Sequence, residues 1–450
     1  MPTQDSLLGR LRSRPERFPD AVTMLTVYVV LLYAVPSNRS IANLGTAGSL
    51  AVLWAAGLAI LWLLVQVQLG ARPLSRSTPV RVAFSLFVVA VLISYLSAMT
   101  RAIPSDEVSV ADTGLIRVIA WAGIVFIAND GISDLARLLT LARRMVTAGA
   151  VLATLGIVQF FTKASWLDLI PTPGLQPVTG YAAVEVRGGL VRSAGTAVHP
   201  LEFAMVLAMV LPLALTLALR ERQRQAVWRW LPVLLIILGL ALSGSRSALV
   251  GMFAGLIVLI PTWSARVRWR LALAAVAIVG VVYVISPRVV TNMRYMFLAV
   301  FDDPSVTSRS DSFALLWHLV GLNPMVGRGL GTFLPRYRIL DNQYVLLLLE
   351  VGLVGLILFL VVGAASIVCA VTGANRSAHT ASGDLGFALA GSVTAGLVAL
   401  SLFDALSFPQ SAGTLVLVFG LCGAYWRLTR SPAADPVRDL VQGRPEVLTG

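Results

Sequence analysis

QYVLLLLEVGLVGLILFLVV, residues 343–362, decides the class of fold. It carries one carboxylate, Glu350, and no basic residue, and it is as long as the ~20 apolar residues that cross a bilayer's hydrocarbon core. Working outward, eleven further stretches read as spans: 21–36, 48–69, 80–99, 114–129, 145–162, 199–219, 230–243, 247–263, 270–286, 384–403 and 412–428. The whole chain agrees, with 57% hydrophobic and 13% charged residues, against roughly 25% charged in a soluble domain. The expectation is an all-α polytopic integral membrane protein of about 12 transmembrane helices. Residues 1–20 form a cytoplasmic N-terminal segment, 21–428 a single transmembrane domain, and 429–450 a disordered cytoplasmic tail.

Arginine gives the orientation, because cytoplasmic connections carry the excess of basic residues. Arg10, Arg12, Arg14 and Arg17 precede the first span; Arg220, Arg222 and Arg224, then Arg266, Arg268 and Arg270, occupy later alternate connections. Both termini are therefore expected in the cytoplasm. The first span resembles a signal peptide but lacks a small-x-small cleavage site, so a retained anchor is expected. The net charge of +13 alternates with apolar spans, which points to anionic phospholipid headgroups and away from nucleic acid. Cys369 and Cys422 lie in apolar stretches, and His199, His318 and His379 lack metal-ligand spacing, so neither a metal site nor a cofactor is expected.

The exceptions to the charge rule are concentrated. Lys163, Arg187 and Arg192 fall in the external loop 163–198, and Arg246 in the tight turn 243–247. Arg288, Arg294, Arg309, Arg328, Arg336 and Arg338 fall in the external loop 287–342, where short amphipathic helices are expected, one of them over 312–321. Arg39, Arg101 and Arg117 belong to the first two external loops or their edges. Each arginine taken singly also fits a solvated loop surface. As a group they fit an anionic substrate, since the guanidinium fork donates paired hydrogen bonds to phosphate and stays charged. Arg192 and Arg246 lie within a few residues of apolar spans, at the level of lipid phosphates. Arginine is costly at mid-membrane, about 2.5–3.5 kcal/mol, and less so at that depth.

Four pieces follow in chain order: Arg192-Ser193-Ala194-Gly195-Thr196-Ala197-Val198-His199-Pro200; Leu242-Ser243-Gly244-Ser245-Arg246-Ser247; Ser308-Arg309-Ser310-Asp311 with Asn323-Pro324-Met325-Val326-Gly327-Arg328-Gly329-Leu330-Gly331; and Asp341-Asn342-Gln343-Tyr344 with Glu350-Val351-Gly352. From about residue 190 to 360 this set resembles the O-antigen ligase and polysaccharide polymerase family of bacterial inner-membrane enzymes. The resemblance implies transfer of glycan from an undecaprenyl-pyrophosphate donor to a glycan or lipid acceptor, without a metal, in surface polysaccharide synthesis. It implies that Arg246 and Arg309 hold the pyrophosphate, with Arg192 as a third basic position. Asp341 stands where ligases usually have histidine. That departure tilts the reading toward a polymerase and leaves the identity of the base open.

Residue chemistry runs parallel. Arginines at a partly dry boundary stabilise charge building on a departing pyrophosphate, and an acceptor hydroxyl needs a proton acceptor within reach. Asp341, Arg246 and Arg309 are the catalytic candidates; Arg192, Arg328, His199, Asn342, Tyr344 and Glu350 are the substrate-binding candidates. Each has a plainer reading. Asp341 fits a helix N-cap, His199 a contact at a helix start, and Glu350 a buried ion pair with an arginine. Glu202 is placed like Glu350. A transporter or flippase for a lipid-linked or anionic substrate is the alternative, with Glu202 and Glu350 as coupling groups. A metal-dependent transferase needs external carboxylates, and for Asp106-Glu107 and Asp302-Asp303 surface solvation is the simpler reading.

Overall fold

The computed structural model describes residues 20–41, 44–68, 77–169, 172–178, 186–187, 190–221, 223, 225–285, 317, 319–377 and 383–430. Among these, twelve α-helices account for nearly all regular structure: α1 Ala21–Ala34, α2 Leu50–Gln68, α3 Pro79–Met99, α4 Ser105–Gly131, α5 Leu135–Thr162, α6 Pro200–Arg220, α7 Ala226–Leu242, α8 Arg246–Leu259, α9 Ala265–Ile285, α10 Gln343–Arg376, α11 Gly383–Leu400 and α12 Pro409–Arg430. The chain is an all-α polytopic membrane protein. Eight of these helices (α2 to α6 and α10 to α12) are long and apolar enough to cross a membrane; α1, α7 and α8 are shorter apolar helices.

Side-chain caps set the helix starts, each satisfying amides that a first turn leaves unpaired. Asp20 accepts from Val22 N at 2.7 Å, Thr78 from Arg81 N at 3.2 Å and Asp134 from Arg137 N at 2.8 Å. Proline at the first helical position assists at Pro79 and Pro200. Helix α6 is buried from Phe203 to Ala218 on every side, as expected of a helix apolar all round. Close backbone approach joins α8 to α11: a Cβ on Gly255 would lie 2.6 Å from Gly391 O, and one on Gly391 2.7 Å from Gly255 O. Small residues permit that packing where lipid offers no hydrophobic drive between helices.

Three helices run beyond the apolar segments that announce them. The expected span 114–129 lies inside α4, 145–162 inside α5, and 343–362 inside the 34-residue α10. In α4 and α5, charged residues at the start truncate a hydropathy window while leaving the helical backbone intact; α10 continues through the uncharged stretch 363–375 to Arg376. Arg117, expected at a loop edge, is inside α4 about 18 Å from its start at 1.5 Å per residue.

Two short antiparallel pairs join the loops. Strand β1 (Arg39–Ile41) pairs with β2 (Leu175–Pro177), and β3 (Val186–Arg187) with β4 (Leu190–Val191). The first pair ties the α1–α2 connection to the α5–α6 connection, so both lie at one end of the bundle, the end that also carries Arg192 and Arg246. Arg288, Arg294, Arg309, His318, the pair Asp302-Asp303, both terminal segments 1–19 and 431–450, and most of the stretch 312–321 lie outside the described residues.

Candidate active site

Arg192 comes from the α5–α6 connection and reaches the α7–α8 turn that presents Arg246. Arg192 follows β4 and is only 6% exposed. Its Nε donates to Ser243 O at 3.0 Å and its guanidinium reaches Gly244 O at 3.5 Å. Its neighbour's amide, Ser193 N, reaches Leu242 O at 3.5 Å. The turn it grips is built for the purpose: Ser243 ends α7, Gly244 takes φ +62°, and Ser245 caps α8 by accepting from Ala248 N. Arg246 is the first residue of α8 and half-buried, where the helix N-terminus adds positive potential. Hydroxyls surround it. Ser243, Ser245 and Ser247 are buried, and Ser193 Oγ is buried with no hydrogen-bond partner among the described residues.

His199 caps α6, its Nδ1 accepting from Leu201 N at 3.1 Å, with the ring 6.0 Å from that of Phe408. Glu202, fully buried, is saturated. It accepts from Ser37 Oγ and Val198 N, both at 2.9 Å, and from Gln410 N at 2.6 Å. Gln410 Nε2 in turn donates to Thr196 Oγ1 at 2.9 Å. Glu202 therefore clamps two loops to the start of α12.

At the head of α10 the cap is Asn342. Its Oδ1 accepts from Tyr344 N at 3.0 Å and Val345 N at 3.2 Å. The plainer reading of Asp341 as the cap is thereby corrected: the following residue does that work, and Asp341 remains exposed. Tyr344 is an anchor to α11, its hydroxyl donating to Leu397 O at 2.6 Å. Gln343 Oε1 accepts from Leu406 N at 2.8 Å, which draws the short α11–α12 connection against this start. That connection carries Asp404, which sequence reasoning missed. Burial pushes the Asp404 carboxyl up to about 6, and the charge of nearby Asp341 adds to the rise. A lone aspartate just past an apolar span carries no signal of this in the sequence.

Helix α10 is broken at Gly352, whose φ is +69° and ψ −174°. The loop 323–331 plugs the break. Arg328 N donates to Leu349 O at 3.1 Å and Gly329 N to Glu350 O at 2.8 Å, while Leu353 N donates to Pro324 O at 2.8 Å and Val354 N to Met325 O at 3.2 Å. Ser94 Oγ of α3 also donates to Glu350 O, at 2.9 Å. No side chain fits the crossing: a Cβ on Gly327 would meet Glu350 O at 2.4 Å, and one on Gly352 would meet Met325 O at 2.3 Å. The third and fourth sequence pieces are thus two halves of one joint. The Glu350 carboxylate accepts from Phe333 N at 3.4 Å and faces Arg117 of α4.

Arg328 is engaged away from the turn at Arg246. Its Nη2 lies 3.2 Å from Glu107 Oε1, and Arg101 Nη2 lies 3.4 Å from Glu107 Oε2. Tyr337 OH donates to Glu107 Oε1 at 2.6 Å, and Arg336 pairs with Asp106. Surface solvation does not describe Glu107, which is 2% exposed. It neutralises two arginines, because a carboxylate this dry needs cationic partners. Among the described residues no three His, Cys, Asp or Glu side chains gather to hold a metal ion.

The arrangement thus places Arg192 beside the turn that carries Arg246, and the carboxylates of Asp341 and Asp404 near each other, at the same end of the bundle. A family model described as O-antigen ligase matches residues 231–360. The matched segment runs from α7 into α10 and contains Arg246, Arg309, the 323–331 plug, Asp341 and Glu350; Arg192 and His199 precede it, and Asp404 follows it. No curated protein matches the chain.

Proposed function

Because the chain is O-antigen ligase-like, we propose that it polymerises or ligates glycans carried on undecaprenyl pyrophosphate, with polymerisation favoured over ligation. In general terms it is a membrane glycan ligase or polymerase; the donor, the sidedness and the residue roles are the proposal. The observation that carries it is the grip of Arg192 on the carbonyls of the turn that presents Arg246. Two cations from separate loops are held beside a helix N-terminus at the depth expected for lipid phosphates.

The acceptor hydroxyl oxygen attacks the anomeric carbon of the lipid-linked sugar. The new C–O bond forms as the bond to the phosphate oxygen breaks, and undecaprenyl pyrophosphate leaves with the bonding pair. Arg246, Arg192 and Arg309 stabilise the charge that grows on it. The hydroxyl proton passes to Asp341 and is shared with Asp404, whose carboxyl is pushed up to about 6 by burial. No metal takes part in this scheme. The Arg246 end faces outward from the cytoplasmic membrane, with both termini in the cytoplasm; the basic connections at the opposite end support this. Transport coupled to Glu202 is disfavoured, because that carboxylate is saturated by backbone and hydroxyl donors.

Deletion in the native host tests the reading. A long-chain surface glycan should be lost, with lipid-linked repeat units accumulating, and Arg246→Ala or Arg309→Ala should reproduce the loss at normal protein level. An unchanged glycan profile without accumulation would refute it.

A further inference from the structure

At the other end of the bundle, where α6 ends and α7 and α9 begin, a cavity of about 470 Å³ opens between the three helices. Its walls are Ala218 and Leu219 from α6, Arg229 and Trp230 from α7, and Arg270 and Leu271 from α9. Among the described residues, two guanidinium groups line it and no carboxylate does. Arg229 Nε is buried and, among the described residues, has no hydrogen-bond partner. The volume falls within the roughly 300–1,000 Å³ of small-molecule sites.

Three features say what fills it. Trp228, Trp230, Trp263 and Trp269 gather at this end of α7, α8 and α9, and tryptophan concentrates at headgroup level in a bilayer. The flanks are apolar and open: Leu234 of α7 is 43% exposed, and Leu273 and Val276 of α9 are 64% and 71% exposed. The charge is positive and uncompensated by the lining, which suits phosphate held by the planar forks of two arginines. A soluble anion would use the arginines and leave the apolar flanks bare; a lipid uses both.

We propose that this cavity binds an anionic glycerophospholipid, with Arg229 and Arg270 on its phosphate and its acyl chains lying between α7 and α9. Basic pockets between spans on the cytoplasmic side are suited to such headgroups. The site lies about 30 Å along α6 from His199, counted at 1.5 Å per residue to Leu219. It is therefore separate from the proposed pyrophosphate corner, and its occupancy does not depend on the glycan chemistry. The bound lipid would fill the space between α9 and the rest of the bundle and hold that helix in place.

Native mass spectrometry of the purified full chain in detergent tests this. The probes are dioleoylphosphatidylglycerol, dioleoylphosphatidylcholine and inorganic phosphate. The wild type should retain one phosphatidylglycerol at least tenfold more tightly than phosphatidylcholine, and inorganic phosphate at the same concentration should not displace it. Arg229→Gln with Arg270→Gln should lower phosphatidylglycerol retention at least tenfold, whereas the paired lysine variant should keep most of it. Equal retention of the two lipids, an unaffected glutamine pair, or displacement by inorganic phosphate would each overturn the proposal. If the glutamine pair fails to purify, the lipid comparison on the wild type decides alone.

Discussion

Gly352→Ala is the sharpest structural perturbation the chain offers. The residue sits at φ +69° and ψ −174°, a region essentially reserved for glycine, where an added Cβ costs about 1–3 kcal/mol in backbone conformation. That Cβ would also lie 2.3 Å from Met325 O and 2.5 Å from Val326 N, both backbone atoms. The loop must therefore move as a unit. Moving it strains or breaks four backbone hydrogen bonds across the joint, each worth about 1 kcal/mol net when made and more when a buried partner is left empty. The sum is roughly 3–7 kcal/mol. The loop also delivers Gly331 and Phe333 to Glu350, so the head of α10 and Asp341 should shift with it. Thermal unfolding in detergent, followed by size-exclusion fluorescence, measures the stability; glycan transfer measures the site. Gly57→Ala on α2 is the control, since nothing lies within 4 Å of its added Cβ. A Gly352→Ala protein as stable and active as Gly57→Ala would refute the plugged break.

Five further substitutions separate roles at and around the site. Asp404 has a carboxyl raised to about 6 against about 3.9 unfolded, so the folded state binds the extra proton between those values and loses stability as pH rises through that window. Asp404→Asn should therefore raise the melting point at pH 7.5, by roughly 1–3 kcal/mol in stability, leave it unchanged at pH 3.5, and lower transfer at least tenfold; higher activity in the variant would remove Asp404 from the proton path. Asn342→Ala should cost about 1 kcal/mol as a lost cap, while Asp341→Ala should leave the melting point alone and abolish transfer. Equal melting losses for the two would return Asp341 to a capping role. Glu107→Ala strands Arg101 and Arg328, and Arg328→Ala strands part of Glu107, so each should destabilise by about 3–5 kcal/mol. The double variant should cost less than the sum in a thermal double-mutant cycle, and strict additivity would deny the pairing.

Much of the architecture was legible because a bilayer demands about 20 apolar residues per span, and the segments around 199–219 or 384–403 announce themselves on that criterion alone. Helix ends were not, because Asp106, Glu107 and Asp112 interrupt hydropathy without interrupting the helix. The break at Gly352 was hidden for the opposite reason. Glycine inside an apolar run reads as ordinary transmembrane packing, and only the distant loop at 323–331 gives it a purpose. The meeting of Arg192 with the turn at Arg246 was legible in outline, since both flank apolar spans and defy the charge rule. Their contact depends on Ser243 and Gly244 carbonyls, which leave no trace in side-chain chemistry. Arg328 looked like its fellow arginines, yet Glu107, more than two hundred positions away, claims it. Asp404 shows the same limit, because burial and the nearby charge of Asp341 are tertiary facts.

Reconstitution tests the central claim most directly. The purified chain in phosphatidylglycerol-containing vesicles is given an undecaprenyl-pyrophosphate-linked repeat unit and a glycan acceptor, with and without EDTA. The account predicts a longer glycan and stoichiometric undecaprenyl pyrophosphate, unchanged by EDTA and reduced at least a hundredfold in Arg246→Ala. Transfer that persists in Arg246→Ala, or a wild-type chain that moves the lipid-linked unit across the membrane without releasing undecaprenyl pyrophosphate, would contradict it.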